Sequence, residues 1–547
     1  RKKTEKNFDE WCKISIYRLI GICKSVSSKY TRSKVRKRMH PDSEYILDEL
    51  LNADDETNRE SYYEEIINTL LKFKVAEQFI EEAAQTISRV AVDRLHIIGH
   101  LFDPGPHPDL LIDHLESFHD VDFQWGNHDA VWMGAAAGNW ACIAGAIRVN
   151  IGYDNFDMLE IGYGINLRPL YAFATEVYRD DPCERFKPHL LDKNEYDQVD
   201  PKLTAKMHKA ITIIQLKLEG QIIKAHPEYL MESRLLLDKV DFESGKALID
   251  GVEYELKDKL FPTVNPKSPY ELDAGELELM STLEASFLKS EKLQRHIRFL
   301  FSHGSMYKIV NGNLLYHGCM PMSEDGNMKA FEVDGKLLKG KAYMDYLDAE
   351  VRKAYFNKEK NGDILWHLSC GSGSPLFGKD KMAVFERSFI GEGACCAEKS
   401  DPYYTFVNER KTAVDILREF GLSPDESRIL NGHVPVRAKN GESPVKGGGL
   451  LFFIDGGISK AYHKTTGIAG YTFIANSRYM ALAEHNPFCP SLEGLGGYAA
   501  PVLRIVEMFK RRMTVKDTDI GRQLEIRIEE LELLVEAFRK GEIKEKK

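Results

Sequence analysis

Four short stretches place side chains able to ligate a metal ion directly after strand-like apolar runs: Gly99-His100-Leu101-Phe102-Asp103-Pro104-Gly105, Gly126-Asn127-His128-Asp129, Tyr316-His317-Gly318-Cys319 and Asn431-Gly432-His433-Val434-Pro435. Imidazole, amide and carboxylate donors in this mixture suit borderline divalent ions such as manganese, iron or zinc better than the soft ions that thiolates select. Two such ions about 3.5–4 Å apart can bind phosphate oxygens and turn a bridging water into a hydroxide for in-line attack on phosphorus. Each stretch alone has a plainer reading. Gly-Asn is good turn chemistry, and a single histidine after a strand is more often a hydrogen-bonded core residue. The case for chemistry rests on all four occurring together at strand tips, where open α/β sheets gather their ligands.

The elements that must position these tips are legible as changes of texture. Residues 1–90 show apolar positions at three- and four-residue spacing over 14–23, 43–51 and 62–90, which predicts helices. From Asp93 short apolar runs end in Gly-rich turns, first 95–99 and then 121–126, which predicts strands. Strand signals return at 313–316, 429–430 and 450–454, so the α/β core is split in sequence. Between the two parts, residues 201–235 and 271–300 have helical periodicity and bracket a hairpin-like alternation, 240–256, around Asp250-Gly251. The expected organisation is a helical lead-in over 1–90, a first core part over 91–184, a mainly helical insertion over 185–300, a second core part over 301–510 and a tail helix over 511–547. In that tail, Leu524, Ile528, Leu531, Val535 and Phe538 alternate four- and three-residue steps, Thr514 and Asp517 form a candidate capping box, and Gly541 stops the run. Packing on the chain's own core is the plainer expectation for this stripe. The sharper one is a helix-to-helix contact in a homo-oligomer, although two heptads are too few to establish a coiled coil.

Composition excludes several classes. With 547 residues, 43% hydrophobic and 29% charged, the chain is neither collagen-like, low-complexity nor a disulfide scaffold. Its best apolar run, residues 133–147, carries Asn139 and falls short of the roughly 18 residues a membrane helix needs. Nine cysteines form no CxxC pair, and no signal-peptide pattern opens the chain, which points to a cytoplasmic location. Beginning with Arg rather than Met, the chain is expected to be processed or a fragment. The formal net charge is −10, yet residues 1–40 hold 13 Lys/Arg against 3 Asp/Glu. The densest stretch, residues 27–38, has little aromatic interleaving, so a solvated helix face or an anionic-metabolite contact is expected rather than nucleic acid.

In their order the four stretches resemble the calcineurin-like metallophosphoesterases, whose pattern runs DxH, GDxxDRG, GNHE/D, HG and GH. The resemblance sharpens at Trp125-Gly126-Asn127-His128-Asp129 with Trp132-Met133-Gly134, at Tyr163-Gly164-Ile165-Asn166-Leu167-Arg168-Pro169-Leu170, and at Gly304-Ser305-Met306-Tyr307. It continues at Ser374-Pro375-Leu376-Phe377-Gly378-Lys379-Asp380, and at Ile454-Asp455-Gly456-Gly457 with Lys464-Thr465-Thr466-Gly467. These segments look like the class 3 fructose-1,6-bisphosphatases of Firmicutes, over essentially the whole chain. The resemblance implies an α/β fold with a calcineurin-like core, a two-sheet β sandwich flanked by helices, carrying large helical insertions. It also implies a manganese-dependent dinuclear site and removal of the 1-phosphate of fructose 1,6-bisphosphate in gluconeogenesis, with no membrane partner. Carried over by position, Asn127, His317 and His433 match ligands of the second metal, His128 the histidine that protonates the departing oxygen, and Asp103 the carboxylate that orients it.

Three departures accompany the match. Asp-x-His occurs nowhere in residues 1–98, so a fragment lacking that upstream segment is expected. His100 stands where the family has the Asp that bridges both ions, and one neutral imidazole lone pair is no substitute for a bridging carboxylate. Pro104 replaces the Arg of DRG, removing a guanidinium that grips phosphate in a fork. The alternative reading is therefore a weak or inactive relative that binds sugar phosphate as a regulatory module. Protein phosphatase activity shares the metal chemistry, but the helical insertions and sugar-phosphatase-like segments argue against it. Arg168, Lys308, Lys379, Lys381, Lys460 and Lys464 are cations in or beside the family-like segments, while His303, His367, His463 and His485 read as structural or surface histidines.

Overall fold

The computed structural model describes residues 2–52, 59–103, 105–189, 200–357, 362–455, 457, 466–487 and 499–543. The chain divides into two compact units, Arg1–Ile97 with His114–Asp122, and Ile98–Asp113 with Phe123–Lys547.

The first unit is mainly helical, with helices Lys2–Ser27, Glu44–Asn52, Arg59–Lys72 and Ala76–Ala91. Cys12, Ile16 and Ile20 recur every fourth residue and so share one helix face. That face is buried with Leu47, Leu50, Ile67, Leu70, Phe79 and Ala83. The helical pattern over 62–90 breaks after Lys72, where Lys74 takes a left-handed φ of 58°. Much of the basic stretch is matched by acids of the same unit: Arg32 pairs with Asp48 at 2.6 Å, Arg36 with Glu44 at 2.6 Å and Lys34 with Asp93 at 2.9 Å. This is the behaviour of a solvated helix face.

The second unit carries the strands that matter for chemistry. Its five-stranded sheet runs Val445–Lys446, Leu451–Phe453, Ile429–Asn431, Asn313–Tyr316, Tyr307–Val310. The three central strands are parallel and buried throughout, which explains why each reads as an unbroken apolar run rather than an alternation. Asn431 lies level with both Tyr316 and Phe453. His433, His317 and Asp455 therefore leave the sheet along the same edge, one or two residues beyond the strand ends. Elsewhere in the unit, Phe123 and Gln124 pair in parallel with Gly304 and Ser305.

Helices surround these strands. The apolar run 133–147 divides into helices Asn127–Ala136 and Trp140–Gly152 because Asn139 caps the second, its side-chain oxygen accepting from the Cys142 N–H at 3.0 Å. Helix Pro201–Ala225 buries two lysines completely. Lys209 lies 2.5 Å from Asp181 and 2.7 Å from Asp258, and Lys217 lies 2.7 Å from Glu276. The expected hairpin forms from strands Lys246–Ile249 and Val252–Glu255. Its turn has positive φ at both Asp250 (50°) and Gly251 (78°), as a two-residue hairpin of this twist requires. A three-stranded antiparallel sheet, Gly470–Ala475, Tyr479–His485 and Val502–Met508, carries no clear strand signal, since its central strand Tyr-Met-Ala-Leu-Ala-Glu-His is rich in good helix formers.

At the tail, the Thr514/Asp517 capping box is present but closes the short turn Val515–Asp517, and the α-helix proper is Asp519–Arg539 with Thr518 as its cap. Of that helix only Gly521 is buried, so the expected packing of its apolar stripe on the chain's own core is corrected among the described residues. Beyond Gly521 the described side chains of the helix are exposed or half-buried. The architecture is mixed α/β with several small sheets and many helices. No helix is long and apolar enough to cross a membrane.

Candidate metal centre

The loop bearing His100 turns through Gly99 at φ 85° and His100 itself at φ 60°. A Cβ at position 99 would stand 2.6 Å from His317 Nδ1 and 2.7 Å from the Gln124 carbonyl, so the absent side chain is what lets the imidazole approach. His433 also takes a left-handed φ, 68°, in a non-glycine residue. Such backbone costs on the order of 1 kcal/mol and persists only where surrounding contacts impose it.

Those contacts are identifiable. The Asp129 carboxylate accepts from the N–H groups of Gly126 at 2.8 Å, His100 at 3.0 Å and Phe102 at 3.2 Å. It thereby pins the loop that holds His100 and Asp103 to the start of helix Asn127–Ala136. Asn431 does the equivalent work at the sheet edge, donating to the carbonyls of His317 at 2.8 Å and Gly318 at 2.6 Å while accepting from the Tyr403 hydroxyl at 3.0 Å.

Three imidazoles and one amide converge there. His317 donates from Nδ1 to the Ile98 carbonyl at 2.5 Å, which fixes its tautomer and leaves the Nε2 lone pair inward. That Nε2 is buried and has no hydrogen-bond partner. His433 donates from Nε2 to the Phe377 carbonyl at 2.8 Å, which leaves its Nδ1 facing His100 Nε2 at 3.3 Å. His100 Nε2 also stands 2.8 Å from Asn127 Oδ1. One ring nitrogen from each of His100, His317 and His433 lies within 4.8 Å of the others. Outer nitrogens of His317 and His433 engaged by carbonyls, inner ring nitrogens gathered together and an orphaned buried Nε2 fit a divalent ion. The absence of a thiolate from the set fits a borderline metal rather than a soft one.

The surrounding charge is uneven. Burial opposes a charged His100, but the hydrogen bond of Asp455 and the charges of Asp103, Asp455 and Asp129 outweigh it and hold His100 up at about 9. Binding of a cation at this imidazole therefore releases a proton. Burial first, then the positive charges of His100, Arg148 and Lys379, hold His128 well below the ordinary histidine range. His128 Nε2 lies 3.5 Å from Asp103 Oδ1, so the acid–orienter pair expected from the sequence is adjacent.

All six residues singled out from the sequence, His100, Asp103, Asn127, His128, His317 and His433, thus gather in one place. Pro104, Lys460, His463 and Lys464 lie outside the described residues. Lys379 pairs with Glu398 at 2.8 Å and Lys381 donates to the Cys395 carbonyl at 2.9 Å, whereas Arg168 is exposed at the start of helix Arg168–Val177 and Lys308 lies in strand Tyr307–Val310. His303 contacts the Phe299 carbonyl at 3.3 Å, His485 the Thr472 hydroxyl at 2.7 Å, and His367 stacks on Tyr229 with ring centroids 4.1 Å apart.

Sequence reasoning missed Asp455, Asn431 and the role of Asp129. Asp455 Oδ2 lies 3.7 Å from His100 Nδ1, and His100 together with the Gly457 N–H outweighs burial and keeps this carboxyl below its usual range. It follows a buried strand just as the recognised histidines do, so the strand-tip rule applied to residues 450–454 would have found it.

Strand tips that bring imidazoles, an amide and a histidine–aspartate pair together define a mixed α/β protein with a histidine-rich candidate metal centre. A family profile described as Firmicute fructose-1,6-bisphosphatase matches residues 1–540. A fructose-1,6-bisphosphatase class 3 of Alkaliphilus metalliredigens (strain QYMF) is 49% identical over 556 residues, spanning 100% of this chain and 84% of the relative. One from Clostridium botulinum (strain Langeland) is 49% identical over 553 residues, spanning 100% and 83%, and one from Clostridium acetobutylicum is 48% identical over 552 residues, spanning 99% and 83%. No solved structure matches the chain significantly. The chain belongs to the Firmicute fructose-1,6-bisphosphatase family.

Proposed function

We propose that the chain hydrolyses the 1-phosphate of fructose 1,6-bisphosphate to give fructose 6-phosphate and phosphate, on a core of the calcineurin-like metallophosphoesterase kind. The observation that carries this reading is the inward convergence of His317, His433, His100 and Asn127 beside the His128–Asp103 pair. These four residues would hold the cation; the family resemblance implies manganese, while three imidazoles without a carboxylate suit iron or zinc at least as well. A bound divalent ion supplies Lewis-acid charge at the phosphoryl oxygens.

The chain's own residues account for the rest. His128 gives its proton to the departing sugar oxygen, with Asp103 orienting the ring and stabilising its charged form. An arriving phosphate dianion opposes the cations that depress His128, so substrate binding itself favours the protonated acid. Arg148 supports phosphate binding. Its part-buried guanidinium has as its hydrogen-bond partner the neutral Gln215 side-chain oxygen at 2.6 Å, and its charge reaches His128. A cation without a tight carboxylate partner is suited to a dianionic ligand, and it takes up a function left open by Pro104.

The test is product identity. Incubation with fructose 1,6-bisphosphate in excess manganese is expected to yield fructose 6-phosphate in step with free phosphate, measured by a coupled isomerase and dehydrogenase assay. Accumulation of the 1-phosphate ester, or equal turnover of a phosphopeptide, overturns the reading.

A further inference from the structure

The tail helix Asp519–Arg539 exposes large apolar side chains: Leu524, Ile528, Leu531, Val535 and Phe538 along one stripe, with Leu531 59% exposed and Ile528 52% exposed, and Ile526, Leu533 and Leu534 beside it. Among the described residues it is hydrogen-bonded to the body of the unit at its start. Asn311 and Asp519 exchange reciprocal backbone-to-side-chain hydrogen bonds, with the Asn311 N–H donating to Asp519 at 2.6 Å and the Asp519 N–H donating to Asn311 at 3.0 Å. Strand Val502–Met508, the outer strand of its sheet, adds exposed Val502, Leu503, Ile505 and Met508. Contiguous apolar surface of this kind marks an interaction face.

The pattern specifies the occupant. With Leu524, Leu531 and Phe538 at d positions, Ile528 and Val535 fall at a, and β-branched residues at a with leucine at d favour two parallel strands. In that register Arg527 occupies g and Glu532 the e position five residues on, so each helix offers its arginine to the other's glutamate, twice per pair. A membrane surface fits poorly: the helix carries six acidic and three basic residues, whereas interfacial helices are rich in Lys and Arg. We propose that this helix is the dimerisation element of the protein and that a second copy of the chain covers it as a parallel two-stranded coiled coil.

Sedimentation of the full chain over a wide concentration range tests this. A dimer is expected, and Ile528→Glu with Leu531→Glu should sediment as a folded monomer, with unchanged circular dichroism because both positions are exposed. Arg527→Glu and Glu532→Arg should each weaken dimerisation several-fold, and the two together should restore it. Orientation is read from Val535→Cys: in the parallel pair the two new thiols lie side by side, and diamide, accepting two electrons and two protons, should join them in a disulfide. A monomeric wild type, or a dimer untouched by the Ile528→Glu, Leu531→Glu pair, overturns the proposal. A dimer whose Val535→Cys form resists cross-linking overturns the parallel arrangement. A monomer that cosediments with phosphatidylglycerol vesicles assigns the face to membranes instead and overturns it too.

Discussion

His100 concentrates the argument at the scale of single residues. By the resemblance it stands where a bridging carboxylate is expected, and its ring lies among the proposed ligands, 2.8 Å from Asn127 Oδ1 and 3.3 Å from His433 Nδ1, with nearby carboxylates favouring its protonated form. Replacing it by Asp exchanges that proton competition for a negative ligand. His100→Asp is expected to tighten manganese binding on the order of tenfold, read by calorimetric titration, and to raise phosphate turnover. Unchanged affinity contradicts the role given to this position. Arg148→Met tests the cation: loss of a charged hydrogen bond to phosphate should raise KM about tenfold with a smaller effect on kcat. The site was largely legible because its residues sit at strand tips and their types are chemically distinctive. Asp455 and Asn431 escaped because a lone carboxylate or amide after a strand is ordinary turn chemistry until the sheet shows which tips are neighbours.

Among the helices, Pro201–Ala225 and Ala274–Lys289 are joined by buried charge as well as by apolar packing. Lys217 and Glu276 are both fully buried and lie 2.7 Å apart, linking helix Pro201–Ala225 to helix Ala274–Lys289. Lys217→Met leaves a carboxylate in the interior without its cation, at an expected cost of about 3–5 kcal/mol. Adding Glu276→Gln should recover much of that loss in a denaturant titration, since the amide oxygen can still accept the Asp273 N–H that bonds Glu276 at 2.9 Å. If the double variant is no more stable than the single one, buried charge is not the cause. Helices with periodic apolar faces and parallel strands with unbroken ones were readable from the sequence. The sheet formed by Gly470–Ala475, Tyr479–His485 and Val502–Met508 was not, because its central strand is rich in good helix formers and its pairing is decided by tertiary contact.

For the whole molecule, His208 and His367, outside the candidate metal centre, contribute to sensitivity to acid. Burial, the largest influence on each, holds His208 and His367 down at about 4. In the unfolded chain both titrate near 6.5. The folded state therefore binds fewer protons between those values, so their contribution to stability is complete above about 6.5 and is lost as pH falls toward 4. Melting temperature should decline across that window with a net proton uptake on unfolding, and His208→Gln should lower that uptake by about one proton. A pH-independent melting temperature there contradicts the assignment. On the proposed reading, the converging imidazoles and Asn127 hold a divalent ion that drives phosphate release from a sugar bisphosphate. The most direct measurement is phosphate release from fructose 1,6-bisphosphate by the full chain in excess manganese, repeated with chelator and with His317→Ala. Turnover abolished by the chelator and by the substitution is the predicted result; turnover indifferent to both, or none from a folded, manganese-loaded sample, would contradict it.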